Sequence, residues 1–271
     1  MPVSTTSRFD LDLSEAELDE RRDHIVAFIR EQVRSAGTDR AVLGLSGGID
    51  STTTAYLAVE ALGADSVHGL VMPSSVNREA NMSDAERVAQ DLGIEYDVIE
   101  IDPIAEAFYD AYPEGEDDRV AAGNVRVRIR AVLNYFVANH ENALVLGTGN
   151  RTEALVGYFT KYGDGAVDCL PIGNLYKGQV RQLARRLGVP EDLVTKTPSA
   201  GMWEGQTDEA ELGIDYDTLD AILALTVDGG VPKGAAADAL GGVTVGEIEH
   251  VHELHEASAH KRQFPPAPDP P

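Results

Sequence analysis

The stretch 44-GLSGGIDSTTT-54 follows an apolar run, 41-AVLGL-45, and leads into 51-STTTAYLAVEAL-62. A strand that ends in small residues and gives way to a helix has the form of a phosphate-holding loop. Glycines let backbone N–H groups come close to an anion. The helix N-terminus adds the positive end of its dipole, and Ser46, Ser51 and Thr52 add hydroxyl donors. The lysine of a G-x-x-x-x-G-K-[ST] loop is missing, because Ile49 and Asp50 follow Gly48. The dinucleotide pattern G-x-G-x-x-G fails as well. A carboxylate among phosphates is repulsive unless a divalent cation lies between them, most simply Mg²⁺. The loop is therefore expected to hold a metal–phosphate complex with Asp50 as a metal ligand. A plain strand-to-helix turn with Asp50 as a helix N-terminal acid explains the complete S-G-G-x-D-S pattern less well.

Outward from this loop, apolar runs alternate with helical periodicity. A helix is predicted over 14–35, opened by a Ser14/Glu17 capping box. Helices are further predicted at 51–62, at 83–92, from Asp102-Pro103 onward and up to about His140. Others follow at 177–187, near 216–226 and at 244–259. Strands are predicted at 41–45, 67–73, 96–101 and 143–150, with a fifth at 169-CLPIG-173. Residues 112–119 read as an acidic surface loop, and 195–213 as a long functional loop. The position of 74-SSVNREANMSD-84, after the second strand, suggests a lid. Such alternation predicts an α/β fold of three Rossmann-like layers, a parallel sheet of about five strands flanked by helices. Ligands bind such sheets at the carboxyl ends of the strands. The glycine exits after Leu45 and Leu146 are thus expected to share one site. A single domain is expected over 1–264, with a mobile Pro-rich tail at 265–271.

The 271 residues carry 46 acids and 22 basic residues, a net charge of −24. That excess disfavours nucleic acid as a partner and points to adaptation to high salt, where screening removes self-repulsion. No run of 18 apolar residues is present and residues 1–15 lack a signal-peptide core, so a cytoplasmic protein with no membrane partner is expected. The lone cysteine, Cys169, excludes internal disulfides and reads as a core thiol. Only five of the basic residues are lysines: Lys161, Lys177, Lys196, Lys233 and Lys261. A chain so sparing of lysine is expected to keep them for defined tasks. The run 250-HVHELHE-256 lacks the i, i+4 histidines of a zinc helix and reads as a surface face.

The SGGIDS loop resembles the pyrophosphate loop of the ATP pyrophosphatase superfamily, whose fold is adenine nucleotide α-hydrolase-like. Five further segments, 124-NVRVRIR-130, 147-GTGNRTE-153, 157-GYFTKYGDGAVDCLPIG-173, 208-DEAELGIDYD-217 and 260-HKRQ-263, resemble ammonia-dependent NAD synthetase. The resemblance spans about residues 20–264. It implies ATP-dependent amidation of deamido-NAD (nicotinate adenine dinucleotide) by ammonia, giving NAD, AMP and pyrophosphate through an acyl adenylate. It also implies Mg²⁺, ATP as co-substrate and a homodimer.

Carried over position by position, the resemblance assigns ATP contacts to Gly44, Leu45, Ser46, Gly47, Gly48, Ile49, Asp50 and Ser51, and to Thr148, Lys177 and Ser199. It assigns the metal to Asp50 and Glu153, and the dinucleotide to Arg128, Lys161, Asp168, His260 and Lys261. Asp50 and Glu153 are the expected catalytic acids, joined by Asp168 as a group that could orient ammonia or take its proton. The family often has threonine where Ser199 stands. For Arg126 and Arg130 a salt bridge to acids is the favoured reading, because alternating arginines on a helix cannot all serve one site. Lys196 is read as serving the 195–212 loop. With no room for a glutaminase domain and no base evident beside Cys169, free ammonia is the expected nitrogen donor. Two rival readings are another adenylating or thiol-transferring enzyme of the superfamily, and a non-catalytic nucleotide-binding regulator.

Overall fold

The computed structural model describes residues 11–74, 78–203 and 205–268, with the side chains of 78–82 left aside. Of the expected lid at 74–84, residues 75–77 lie outside the described residues, and 78–84 are the first turns of a helix. Helix α1 (Glu15–Ser35) opens with the Ser14/Glu17 capping box anticipated from the sequence. Strand β1 (Arg40–Leu45) runs into the glycine loop, and α2 (Ile49–Leu62) follows. This helix begins at Ile49, two residues earlier than its sequence suggests, which puts Asp50 inside the first turn. Strand β2 (Val67–Val71), helix α3 (Arg78–Leu92), strand β3 (Glu95–Val98) and helix α4 (Asp102–Ala111) come next. The long α5 (Arg119–Glu141) leads into β4 (Ala143–Val145).

The sheet has four parallel strands in the order β3-β2-β1-β4. Alternate residues of β1 serve opposite faces. Ala41, Leu43 and Leu45 enter the core shared with α1, α2 and α3, whereas Val42 enters the core under α4 and α5. The expected fifth strand shrinks to one parallel bridge, Leu146 to Cys169. Pro171 has no N–H to extend a ladder there. The chain leaves β1 toward β2 on one side and returns through β4 on the other. The two exits thus flank a topological switch point, the usual ligand crevice of an open α/β sheet.

Beyond β4 the chain is helical: α6 (Arg151–Val156), α7 (Lys177–Arg186), α8 (Glu191–Val194), α9 (Asp208–Leu212) and α10 (Tyr216–Ile222). Helix α10 continues as a π-turn over Leu223–Asp228, and α11 (Lys233–Leu240) and α12 (Val245–Ala257) complete the set. These C-terminal helices enclose a separate core around Tyr216, Leu219, Ile222 and Ile248. A short 3₁₀ turn, Ala259–Lys261, docks against Gly157. A Cβ on Gly157 would lie 2.1 Å from Ser258 Cβ, and its φ of +69° already disfavours a side chain. No described helix is long and apolar enough to cross a membrane.

Candidate active site

The loop after β1 is held by its own hydroxyls. Gly47 takes a φ of +72°, and Gly48 N–H donates to Ser46 Oγ at 3.2 Å. Ser51 Oγ lies 3.0 Å from Ser46 Oγ and 3.1 Å from the Gly48 carbonyl. Thr52 is buried and donates to the Gly48 carbonyl at 2.9 Å, so its hydroxyl braces the turn instead of facing a phosphate. Of the three hydroxyls expected to serve an anion, only that of Ser46 belongs to an exposed residue.

Three helix N-termini meet beside this loop. Asp50 stands in the first turn of α2, Glu153 in the first turn of α6, and Lys177 opens α7. Lys177 is 2% exposed, and its Nζ lies 2.5 Å from Asp50 and 3.2 Å from Glu153. Burial pushes the Glu153 carboxyl up to about 8, with Lys177 opposing and Asp50 adding to the shift. Burial works against the Lys177 ammonium, but Asp50 and Glu153 outweigh it and hold its pKa above the usual lysine value. Asn150 completes the group. It caps α6 in a capping box with Glu153 and donates from Nδ2 to Asp50 at 2.8 Å. Asp220, from α10, fastens α6 to α7: it accepts Thr152 Oγ1 at 2.5 Å and Gly178 N–H at 2.8 Å. Its carboxyl is raised to about 6 by burial, opposed by these donors.

Asp50 and Glu153 are hard oxygen donors that converge on one cation, here the lysine ammonium. Among the described residues no cluster of three or more His, Cys, Asp or Glu could hold a metal ion. Two carboxylates with the remaining positions left to substrate phosphates and water is the usual donor set for Mg²⁺. The residues thus fit a dication shared with a nucleotide, in accord with the loop chemistry.

A second cluster gathers the cations expected to face the dinucleotide. Arg128, on the outer side of α5, donates to the Lys161 carbonyl at 3.2 Å. Lys161 Nζ donates to the His260 carbonyl at 2.6 Å and lies 5.3 Å from the Tyr162 ring centre. Lys261 Nζ donates to the carbonyls of Gly157 and Phe159 at 2.7 and 2.8 Å. Partial burial lowers its pKa, opposed by Asp164. Thr160 bonds Asn124 at 2.8 Å, so α5, the 157–168 loop and the C-terminal turn are laced together.

Three expected residues stand elsewhere. Asp168 accepts the Val145 N–H at 2.8 Å and the Tyr135 hydroxyl at 3.0 Å, which commits both oxygens beside the end of β4. Thr148 is half-buried between β4 and α6, two residues before Asn150, the cap of α6. Ser199 is exposed and accepts the Gly201 N–H at 3.1 Å. The arginines of 126-RVRIR-130 divide as i, i+4 spacing dictates. Arg126 and Arg130 share the inner side of α5, while Arg128 points away. Arg126 reaches Asp102 at 4.0 Å, whereas Arg130 donates to the Met72 carbonyl at 3.0 Å. Burial and neighbouring Arg126 lower it to about 10. The other basic segment is paired with acids, Arg181 to Asp217, Arg185 to Glu191 and Arg186 to Asp19. His252 and His255 bond Thr226 and the Leu155 carbonyl. Burial, then Asp168, pushes the Cys169 thiol up to about 11, far from a nucleophilic thiolate.

Residues 22–265 match the NAD synthase family model. The chain belongs to the NAD synthase family. It is 64% identical to the NH(3)-dependent NAD(+) synthetase of Halobacterium salinarum, over 97% of this chain and 98% of that one. A Methanosarcina acetivorans relative of the same description is 48% identical, over 93% and 99% of the two chains. Among solved structures, NMN synthetase from Francisella tularensis superposes with a TM-score of 0.83 at 36% identity, covering 95% of this chain and all of that one. An NH3-dependent NAD synthetase from Campylobacter jejuni gives 0.79 at 31% identity, covering 93% and 99%. These NAD synthase likenesses extend over almost the full length of the chains compared.

Proposed function

We propose that the protein amidates deamido-NAD with free ammonia at the expense of ATP, acting as a single synthetase unit over residues 1–264. The observation that carries this reading is the convergence of Asp50, Glu153 and Lys177 beside the SGGIDS loop, in a chain 64% identical to an NH(3)-dependent synthetase. The nicotinate carboxylate oxygen bonds to the α-phosphorus of ATP, and pyrophosphate leaves. Ammonia nitrogen then bonds to the acyl carbon, AMP leaves, and one proton is released. Both reactants of the first step are anions, so cations must neutralise their approach.

In this reading Asp50 and Glu153 would hold Mg²⁺, whose charge would offset that developing on the leaving group. The loop 44–51, Thr148, Lys177 and Ser199 take the ATP. Arg128, Lys161, Asp168, His260 and Lys261 face deamido-NAD, and the 195–212 loop excludes water from the adenylate. Asp168 remains the candidate to orient ammonia. A cytoplasmic, salt-adapted enzyme is the reading best matched to the charge of −24.

The deciding assay supplies ATP, Mg²⁺ and deamido-NAD in molar KCl and measures NAD and pyrophosphate. Ammonium is expected to support NAD formation, and glutamine in its place to give little. Strong activity with glutamine would overturn the free-ammonia reading. Pyrophosphate without NAD would point to another adenylating enzyme, and neither product to a regulator. Because one similar structure is an NMN synthetase, the mononucleotide acid is run alongside; a higher kcat/KM for it would displace deamido-NAD as substrate.

The working unit is proposed to be a homodimer. Val132 and Phe136 on α5 and Tyr162 beside them are 67%, 72% and 60% exposed, an apolar groove that also takes in Ala131, Tyr135 and Ala166. Phe136→Arg is expected to turn a dimer into a monomer by light scattering after gel filtration. A dimer that survives this change would place the interface elsewhere.

A further inference from the structure

Asp208 is a carboxylate that the reaction leaves without a task. It opens α9 and is 4% exposed, and the side chains that hydrogen-bond it are phenols. Both oxygens are taken by phenols: Tyr158 donates to one at 3.0 Å and Tyr216 to the other at 2.8 Å. Its own N–H donates to the Pro198 carbonyl at 3.1 Å, which closes the base of the loop that precedes it.

Two chains of contact leave this carboxylate. One runs outward. The single Tyr158 hydroxyl proton is shared between Asp208 and Glu211, the latter at 2.7 Å, Glu211 accepts Gln206 Nε2 at 2.7 Å, and Gln206 Oε1 accepts the Met202 N–H at 2.6 Å. Next to Met202, the Trp203 ring lies 4.4 Å from the Arg119 guanidinium at the start of α5. The other runs inward. Tyr216 is fully buried, and its ring centre lies 5.1 Å from Lys177 Nζ, the ammonium between Asp50 and Glu153. A buried carboxylate that accepts two phenols is held in one position, and through Tyr216 it sits one ring away from the Lys177 ammonium.

We propose that Asp208 is a positioning residue that couples the seating of the 198–207 loop, through Tyr158 and Tyr216, to the placement of the Lys177 ammonium. The inference rests on the proposed site and deepens it: the loop and the acid pair adopt their working arrangement together.

Trp203 is the only tryptophan of the chain, so its fluorescence reads the loop without substrate and without turnover. Asp208→Asn and Tyr158→Phe are expected to raise acrylamide quenching of Trp203 at least about twofold and to lower kcat about 10–100-fold, the usual range for outer partners of a site, with circular dichroism unchanged. Should Asp208→Asn fail to fold, Tyr158→Phe alone decides. A fall in kcat with Trp203 quenching unchanged would overturn the coupling, as would freed Trp203 with kcat intact. Since quenching is read on the ligand-free protein, a wrong substrate assignment leaves that half of the test standing.

Discussion

Replacing Lys177 by methionine is expected to lower the stability of the ligand-free protein by about 3–5 kcal/mol and to abolish NAD formation. The lysine is buried between two carboxylates, at 2.5 and 3.2 Å. Methionine fills similar space but leaves Asp50 and Glu153 facing each other without a counter-charge. Removing one member of a buried ion pair is far more damaging than replacing the whole pair, because the survivor remains desolvated. The same variant tests the metal assignment by a route independent of turnover. If the two acids accept Mg²⁺, the cation replaces the lost ammonium, and the variant regains stability as Mg²⁺ is raised. Thermal denaturation with Mg²⁺ and with Ca²⁺-free, Mg²⁺-free buffer gives the answer. A variant as stable as the parent would show that Lys177 is not the counter-ion of the pair.

Asp50→Asn is expected to reduce turnover by roughly 10³-fold or more, on the scale of a lost transition-state charge contact. The fold should survive, since Lys177 keeps Glu153 and Asn150 keeps its cap on α6. An amide in place of the carboxylate removes the charge that makes a dication welcome beside pyrophosphate. Its loss should therefore appear as weakened Mg²⁺-dependent ATP binding by calorimetry, not as unfolding. Unchanged kcat/KM in this variant would overturn the reading of the loop.

Much of this was legible before any coordinates. The two glycine exits were expected to share one site, and Asp50 and Glu153 do meet, with the Lys177 ammonium between them. The parallel sheet followed from alternation of strands and helices. Other features were not legible, for physical reasons. Lys177 was expected on ATP, but its immediate neighbours in space are Asp50 and Glu153, 127 and 24 residues away in sequence. Asn150 was passed over although its spacing to Glu153 is that of a capping box. Asp208 sits in 208-DEAELG-213, where an acidic helix start looks like an exposed first turn; only tertiary packing buries it. The fifth strand failed on a local cause, Pro171, that the sequence did display. Of the acid pairings expected for Arg126 and Arg130, Arg126 meets Asp102, while Arg130 is set against the Met72 carbonyl. Residues four apart share a helix side, so Arg126 and Arg130 point inward together.

The dinucleotide-side cluster has a consequence for how the protein comes into being. Lys161 is anchored on the carbonyl of His260, 99 residues later, and Lys261 returns to Gly157 and Phe159. Arg262 adds bonds to the carbonyls of Leu155 and His255. The sheet and the glycine loop are complete by Val145, so a growing chain can form them early. The cationic face cannot exist until the last turn has left the ribosome and docked. The glycine loop and the cationic face are therefore assembled at opposite ends of synthesis, and an unfinished chain holds the loop proposed for ATP without the face proposed for the dinucleotide.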